Sequence, residues 1–290
     1  MRWVTVANDE GPRACGVFNG DYIDVNAADP EMPSTVRGLL EVGLDWQRRA
    51  WAALPRGVVR HDPAHVQLLA PVPDPRKIVC IGLNYRDHAA ESGVPVPTEP
   101  ILFSKYPTTL IGHGDQIVLP SASHEVDYEA ELVVVIGRKG RHISRERALD
   151  HVGGYAVGHD VSARDWQLNK PGKQWMAGKT FDTFAPVGPE LVTPDEVPDP
   201  QNLGIRLRLN GQTMQDSSTN QLVFGVSELI AYLSQVFTLE AGDLIFTGTP
   251  PGVGMARKPP VWLKPGDRVE VEIDRLGTLS NTVIAENAVG

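Results

Sequence analysis

The stretch Asp127-Tyr128-Glu129-Ala130-Glu131-Leu132 constrains the fold more than any other, because it runs straight into Val133-Val134-Val135-Ile136. An apolar, β-branched run of that length reads as a buried strand. Side chains alternate faces along a strand, so Asp127, Glu129 and Glu131 share one face while Tyr128, Ala130 and Leu132 share the other. Carboxylates at every second position repel one another, and burying them unpaired is very unfavourable. Two arrangements resolve the conflict. A hard divalent cation such as Mg2+, which prefers carboxylate oxygen and water, neutralises the face; or the strand lies at an edge and its acidic face is solvated. The strand alone does not choose between them.

A chain of 290 residues suits one large β-rich domain with a small partner. Its net charge of −9 and the lack of any long basic run disfavour nucleic acid and anionic membrane surfaces as partners. The longest apolar run, 132–136, is far too short to cross a bilayer. The first ten residues soon turn acidic, unlike a signal peptide. Cys15 and Cys80 form neither a disulfide framework nor a zinc spacing, so a cytoplasmic protein with reduced thiols is the expectation.

Residues 1–70 read as a small N-terminal α/β unit. Segments 3–7 and 15–25 are strand-like, with Asn19-Gly20 a hairpin turn, and Ser34 is placed to cap a helix reaching about Leu54. Pro71-Val72-Pro73-Asp74-Pro75 makes a stiff joint, and residues 71–290 form the larger unit. There, strands are expected at 77–82, 116–119, 129–136, 153–160, 204–209, 243–247 and 268–273, with Asn210-Gly211 a hairpin turn and few helical patterns, chiefly at 145–151 and 226–234. Strands dominate without a βαβ alternation, so the fold class is α+β, mostly β, built as a sandwich, barrel or roll. The glycine-rich loop 247–254 lacks the Lys-Ser/Thr of a phosphate cradle and reads as a rigid active-site loop.

Several side chains are suited to chemistry. Asp160 ends a strand and, with Glu129 and Glu131, makes a three-carboxylate site with about three octahedral positions left for water or substrate; it is equally placed to cap the helix-like segment 161–168. His88 and Glu91, three apart in a short turn closed by Gly93, share a helix face, where the carboxylate orients the imidazole as a base; an ordinary surface contact has the same spacing. Lys179 suits oxyanion stabilisation and Arg164 a two-pronged grip on a carboxylate, although both also fit surface ion pairs. Gln167 is a further candidate, and among the other histidines only His124, beside the acidic strand, stands out.

Taken together, Ile81-Gly82-Leu83-Asn84-Tyr85 with His88 and Glu91, Phe103-Ser104-Lys105, Glu129-Ala130-Glu131-Leu132, Asp160-Val161-Ser162-Ala163-Arg164-Asp165, Gly178-Lys179-Thr180-Phe181-Asp182 and Thr247-Gly248-Thr249-Pro250 resemble the fumarylacetoacetate hydrolase superfamily across residues 70–284. Lys173-Gln174-Trp175, Ala163-Arg164-Asp165-Trp166 and Arg257-Lys258-Pro259-Pro260 are most like its animal branch of domain-containing proteins of the second type. The resemblance implies a mixed β-roll catalytic domain, usually homodimeric. It also implies Mg2+ or Mn2+ on Glu129, Glu131 and Asp160, with Asp127 behind the ligands rather than among them. His88 and Glu91 then form a base pair on a lid, Lys179 stabilises developing charge, and Arg164, Gln167 and Thr249 contact the substrate. The implied activity is metal-dependent enolate chemistry on a small 2-oxo or dicarboxylic acid. Hydrolysis of an acylpyruvate-type carbon–carbon bond is the main expectation, with tautomerisation or decarboxylation of an oxaloacetate-like acid the alternative.

Overall fold

The computed structural model describes residues 1–288. Its centre is the strand Ala130–Ile136, buried along its whole length. Valine and isoleucine fill both faces of this strand, as a strand covered on two sides requires. It pairs antiparallel with Val152–His159 on one side and with Leu244–Phe246 on the other. The ladder continues in parallel to Ile78–Gly82 and ends at Ile101–Lys105. In the other direction Val152–His159 pairs with Ala185–Val192, and that strand with Arg2–Val6, so the segment before Pro71 extends the same sheet. A second, five-stranded sheet runs in the order Gln212–Ser218, Gly204–Leu209, Arg268–Ile273, Gly277–Ala285, Gln116–Leu119. Leu132, Val134 and Ile136 pack with Ile205, Leu207, Val271 and Leu279 in the core between the sheets, while Val133 and Val135 face Leu40 and Leu54 on the other side. The architecture is α+β and mostly β, as expected.

The strands expected at 204–209 and 268–273 form with those bounds, and Asn210-Gly211 turns the hairpin. Two local expectations change. The helix expected from Ser34 to Leu54 is broken: Thr35 caps Val36–Val42, and Gly43 at φ 91°, a conformation that side chains avoid, separates it from Leu44–Ala53. The strand Ala185–Val192 carries Pro186 and Pro189, which mask it in the sequence, yet it pairs on both sides over much of its length.

Candidate metal centre and its cavity

The acidic end of the central strand opens into a cavity of ≈310 Å³ lined by Glu129, Glu131, His88, Arg164, Gln167, Lys179 and Thr249 on its polar side. Leu83, Phe103, Leu168 and Trp175 make the apolar side. Asp160, one residue beyond the paired strand Val152–His159, meets Glu129 across the ladder, its backbone N–H donating to the Glu129 carbonyl (2.9 Å). One oxygen from each of Glu129, Glu131 and Asp160 lies within 4.8 Å of the others, and all three residues are buried. Asp160 does not cap the helix that follows. That helix, Arg164–Asn169, starts after Ala163 without a side-chain cap, and the Asp160 carboxylate turns to two lysines instead.

The charges around this triad are paired in a fixed pattern. Glu129 accepts from Arg164 (2.6 Å) on one oxygen and from Lys179 (2.6 Å) on the other. Lys179 also donates to Asp160 Oδ2 at 2.8 Å. Lys105, which sequence reasoning noted in a motif but gave no role, lies 2.7 Å from Asp160 Oδ1. It directs its protons elsewhere, to the carbonyls of Val161, Lys179 and Phe184, so Oδ1 has a cation beside it and no hydrogen bond. Asp127 lies outside the triad: its carboxylate accepts from Arg164 Nε (2.8 Å) and from the backbone of Gly254 and Met255. Four carboxylates, Asp127, Glu129, Glu131 and Asp160, thus face three cations, Lys105, Arg164 and Lys179, all buried.

Burial raises the Glu129 pKa, but the attraction of Lys179 and Arg164 outweighs it and holds this carboxyl well below the usual range. Glu131 goes the other way. Burial, reinforced by Asp160 and Glu129, pushes it well above the ordinary carboxylate range, and its hydrogen bond from the Gly248 N–H (2.7 Å) does not offset that. A cluster with one carboxylate short of a cation and an unbonded oxygen on Asp160 fits a hard divalent ion; an all-oxygen donor set of this size is the kind Mg2+ and Mn2+ accept.

Local packing explains these placements. A Cβ at Gly178 would come within 2.5 Å of the Gln167 backbone, so this glycine lets the helix Trp175–Lys179 lie against Arg164–Asn169 and brings Lys179 and Gln167 to one wall. Gly248, at φ 103°, aims its N–H at Glu131. The Arg86–Ser92 helix ends at Gly93 in the left-handed conformation and carries the expected pair, His88 Nδ1 to Glu91 Oε2 at 3.2 Å. Glu91 is further held by the Gly252 N–H. His124, singled out in the sequence, is exposed and does not line the cavity; among the described residues its backbone N–H is engaged by Asp165 and its side chain by none. Gln215, absent from the sequence reading, is 1% exposed and joins the central strand to the Thr249 loop.

Residues 77–284 match the family described as fumarylacetoacetate (FAA) hydrolase C-terminal. The chain belongs to that family. Among relatives, it is 54% identical to the oxaloacetate tautomerase fahd2 of Xenopus laevis over 265 residues, 91% of this chain and 83% of that protein. Among solved structures of the family, the fumarylacetoacetate hydrolase of Exiguobacterium antarcticum is 36% identical with a TM-score of 0.86, covering 99% of this chain and 100% of that one. The maleylpyruvate hydrolase of Sphingobium sp. SYK-6, in complex with manganese(II) and pyruvate, is 35% identical with a TM-score of 0.81, covering 98% and 99%. The Xenopus tautomerase and its human and bovine counterparts are named as mitochondrial. That finding overturns the cytoplasmic expectation, which rested on two unpaired cysteines and a short acidic N-terminus, neither of which distinguishes one reducing compartment from another.

Proposed function

We propose that this family member is a divalent-metal-dependent keto–enol tautomerase of oxaloacetate or a near 2-oxo dicarboxylic acid. The observation that carries the reading is the 54% identity to an oxaloacetate tautomerase across 91% of the chain. The site residues are compatible with it, and the cavity is consistent with a small dicarboxylic acid. This reading favours the alternative over carbon–carbon hydrolysis, the main expectation from sequence.

A Mg2+ or Mn2+ ion held by Glu129, Glu131 and Asp160 would supply a Lewis acid for substrate oxygens. The chain's own residues do the rest. Lys179 spends two of its three N–H donors on Glu129 and Asp160 and keeps one for an oxygen that gains charge at C2. Arg164 spends three of its five on Asp127, Gln167 and Glu129, which leaves two for a carboxylate. With Glu91 accepting from Nδ1, the Nε2 of His88 is the nitrogen that exchanges a proton with C3. In the enol-to-keto direction C3 gains the proton carried on His88 Nε2, the enol hydroxyl releases its proton to solvent, and solvent returns one to Nε2, so no net proton is consumed. No attacking water is required, and the apolar side formed by Leu83, Phe103, Leu168 and Trp175 suits a proton transfer on carbon. The active form is proposed to be a homodimer.

The test is a spectrophotometric assay of Mg2+-loaded protein on enol-oxaloacetate and on an acylpyruvate, with product analysis. Loss of the enol band with oxaloacetate recovered intact supports the tautomerase. Pyruvate and a free acid from the acylpyruvate, without enol turnover, would replace it by a hydrolase, and pyruvate from oxaloacetate by a decarboxylase.

A further inference from the structure

We propose that Gln215 is a positioning residue that fixes the direction of the Thr249 hydroxyl, so that Thr249 serves as a hydrogen-bond donor to an anionic substrate oxygen. This rests on the substrate class proposed above. Gln215 stands on Gln212–Ser218 in the second sheet, yet its amide reaches the acidic end of the central strand. Its Oε1 accepts from the Ala130 N–H at 2.8 Å, between Glu129 and Glu131. Its Nε2 donates to the Pro250 carbonyl at 2.8 Å and to Thr249 Oγ1 at 2.9 Å.

These partners leave the amide one orientation. A backbone N–H can only donate and a carbonyl can only accept, so a turned amide would set donor against donor and acceptor against acceptor. With Nε2 fixed, Thr249 Oγ1 must accept from it, and the hydroxyl proton must go to something else. Among the described residues that proton has no acceptor, and Thr249 lines the cavity beside Glu129, Arg164 and Lys179. The ligand that satisfies it presents a lone pair, as a carboxylate or an enolate oxygen does. A ligand offering an N–H or O–H there meets a donor already committed, so Gln215 selects against it at a distance. The Ala130 bond sets the same group in register with Glu129 and Glu131, which ties the donor's place to that of the carboxylates.

The experiment is calorimetric titration of pyruvate into the Mn2+-loaded protein, for the wild type, Thr249→Val, Thr249→Ser, Gln215→Met and the double variant Gln215→Met/Thr249→Val. Methionine removes both polar ends of the amide and frees the Thr249 hydroxyl to turn, without adding charge. Thr249→Val should weaken pyruvate by about tenfold, Gln215→Met by less, the double variant no further than Thr249→Val alone, and Thr249→Ser by less than about twofold. Additive losses, an undiminished affinity in Thr249→Val, or no binding to the wild type would overturn the proposal. If Gln215→Met does not fold, Gln215→Leu replaces it, and any loss that persists in the Thr249→Val background counts against the idea. Binding that follows this pattern without oxaloacetate turnover would refute the tautomerase reading and leave the Gln215 assignment standing, whereas turnover with additive losses would refute the assignment alone.

Discussion

The two ends of the strand Ala130–Ile136 handle charge in opposite ways. At the Glu129–Glu131 end, four carboxylates and three cations are buried around a cavity of ≈310 Å³. At the other, Gly137 and Lys139 open onto a cleft of ≈1250 Å³ bordered by Leu44–Ala53, where Arg48, Arg76 and Lys139 are 66%, 57% and 70% exposed. The larger space holds charges that water already solvates, and such pairs are worth little. The smaller holds charges whose desolvation has to be offset by each other, which makes every position consequential. Volume and buried, mutually dependent charge therefore point to different cavities in this molecule.

The strongest way to break that contrast is Glu129→Ala. It strips Arg164 and Lys179 of a shared partner and removes a candidate ligand, so divalent-ion binding should be lost by calorimetry, and chemical denaturation should show a stability loss of about 3–5 kcal/mol. Retained ion affinity would remove Glu129 from the metal site. His88→Ala comes next: turnover should fall by about 10²–10⁴-fold while ion affinity holds, and equal turnover would deny His88 the proton. Chelation sharpens the picture further, since activity should vanish while the unfolding free energy drops by no more than about 3 kcal/mol, the stabilisation that an ion at about a hundred times its Kd gives by mass action. Collapse of the fold, followed by circular dichroism, would make the site structural. Smallest of all is Arg48→Ala in the large cleft, expected to alter stability by less than about 0.5 kcal/mol and enol turnover not at all. A large effect there would end the contrast.

What could be read from the sequence depended on how local the signal was. Glu129 and Glu131 announce themselves by alternation next to a valine run, and His88 and Glu91 by their spacing of three. Asp160 was legible as a strand end, but its orientation was not, because Lys105 and Lys179 arrive from segments 55 and 19 residues away in the chain and only packing reveals them. Gln215 gave no signal at all. It lies 85 residues from Ala130, on the other sheet, and nothing in its neighbours marks it as polar and buried. The break at Gly43 was there to be read, since a glycine inside a helical pattern commonly ends it; the apolar periodicity on either side concealed it.

The shortage of one cation around Asp127, Glu129, Glu131 and Asp160 bears on the sequence of binding events. With no ion present the pocket is at best neutral, and it would offer the proposed dicarboxylic acid little long-range attraction. A divalent ion held by Glu129, Glu131 and Asp160 would convert the deficit into an excess of one positive charge at the bottom of a low-dielectric recess, where field lines concentrate. The kinetics should therefore be compulsory-order, metal first and acid second, with the bound substrate in turn slowing the escape of the ion.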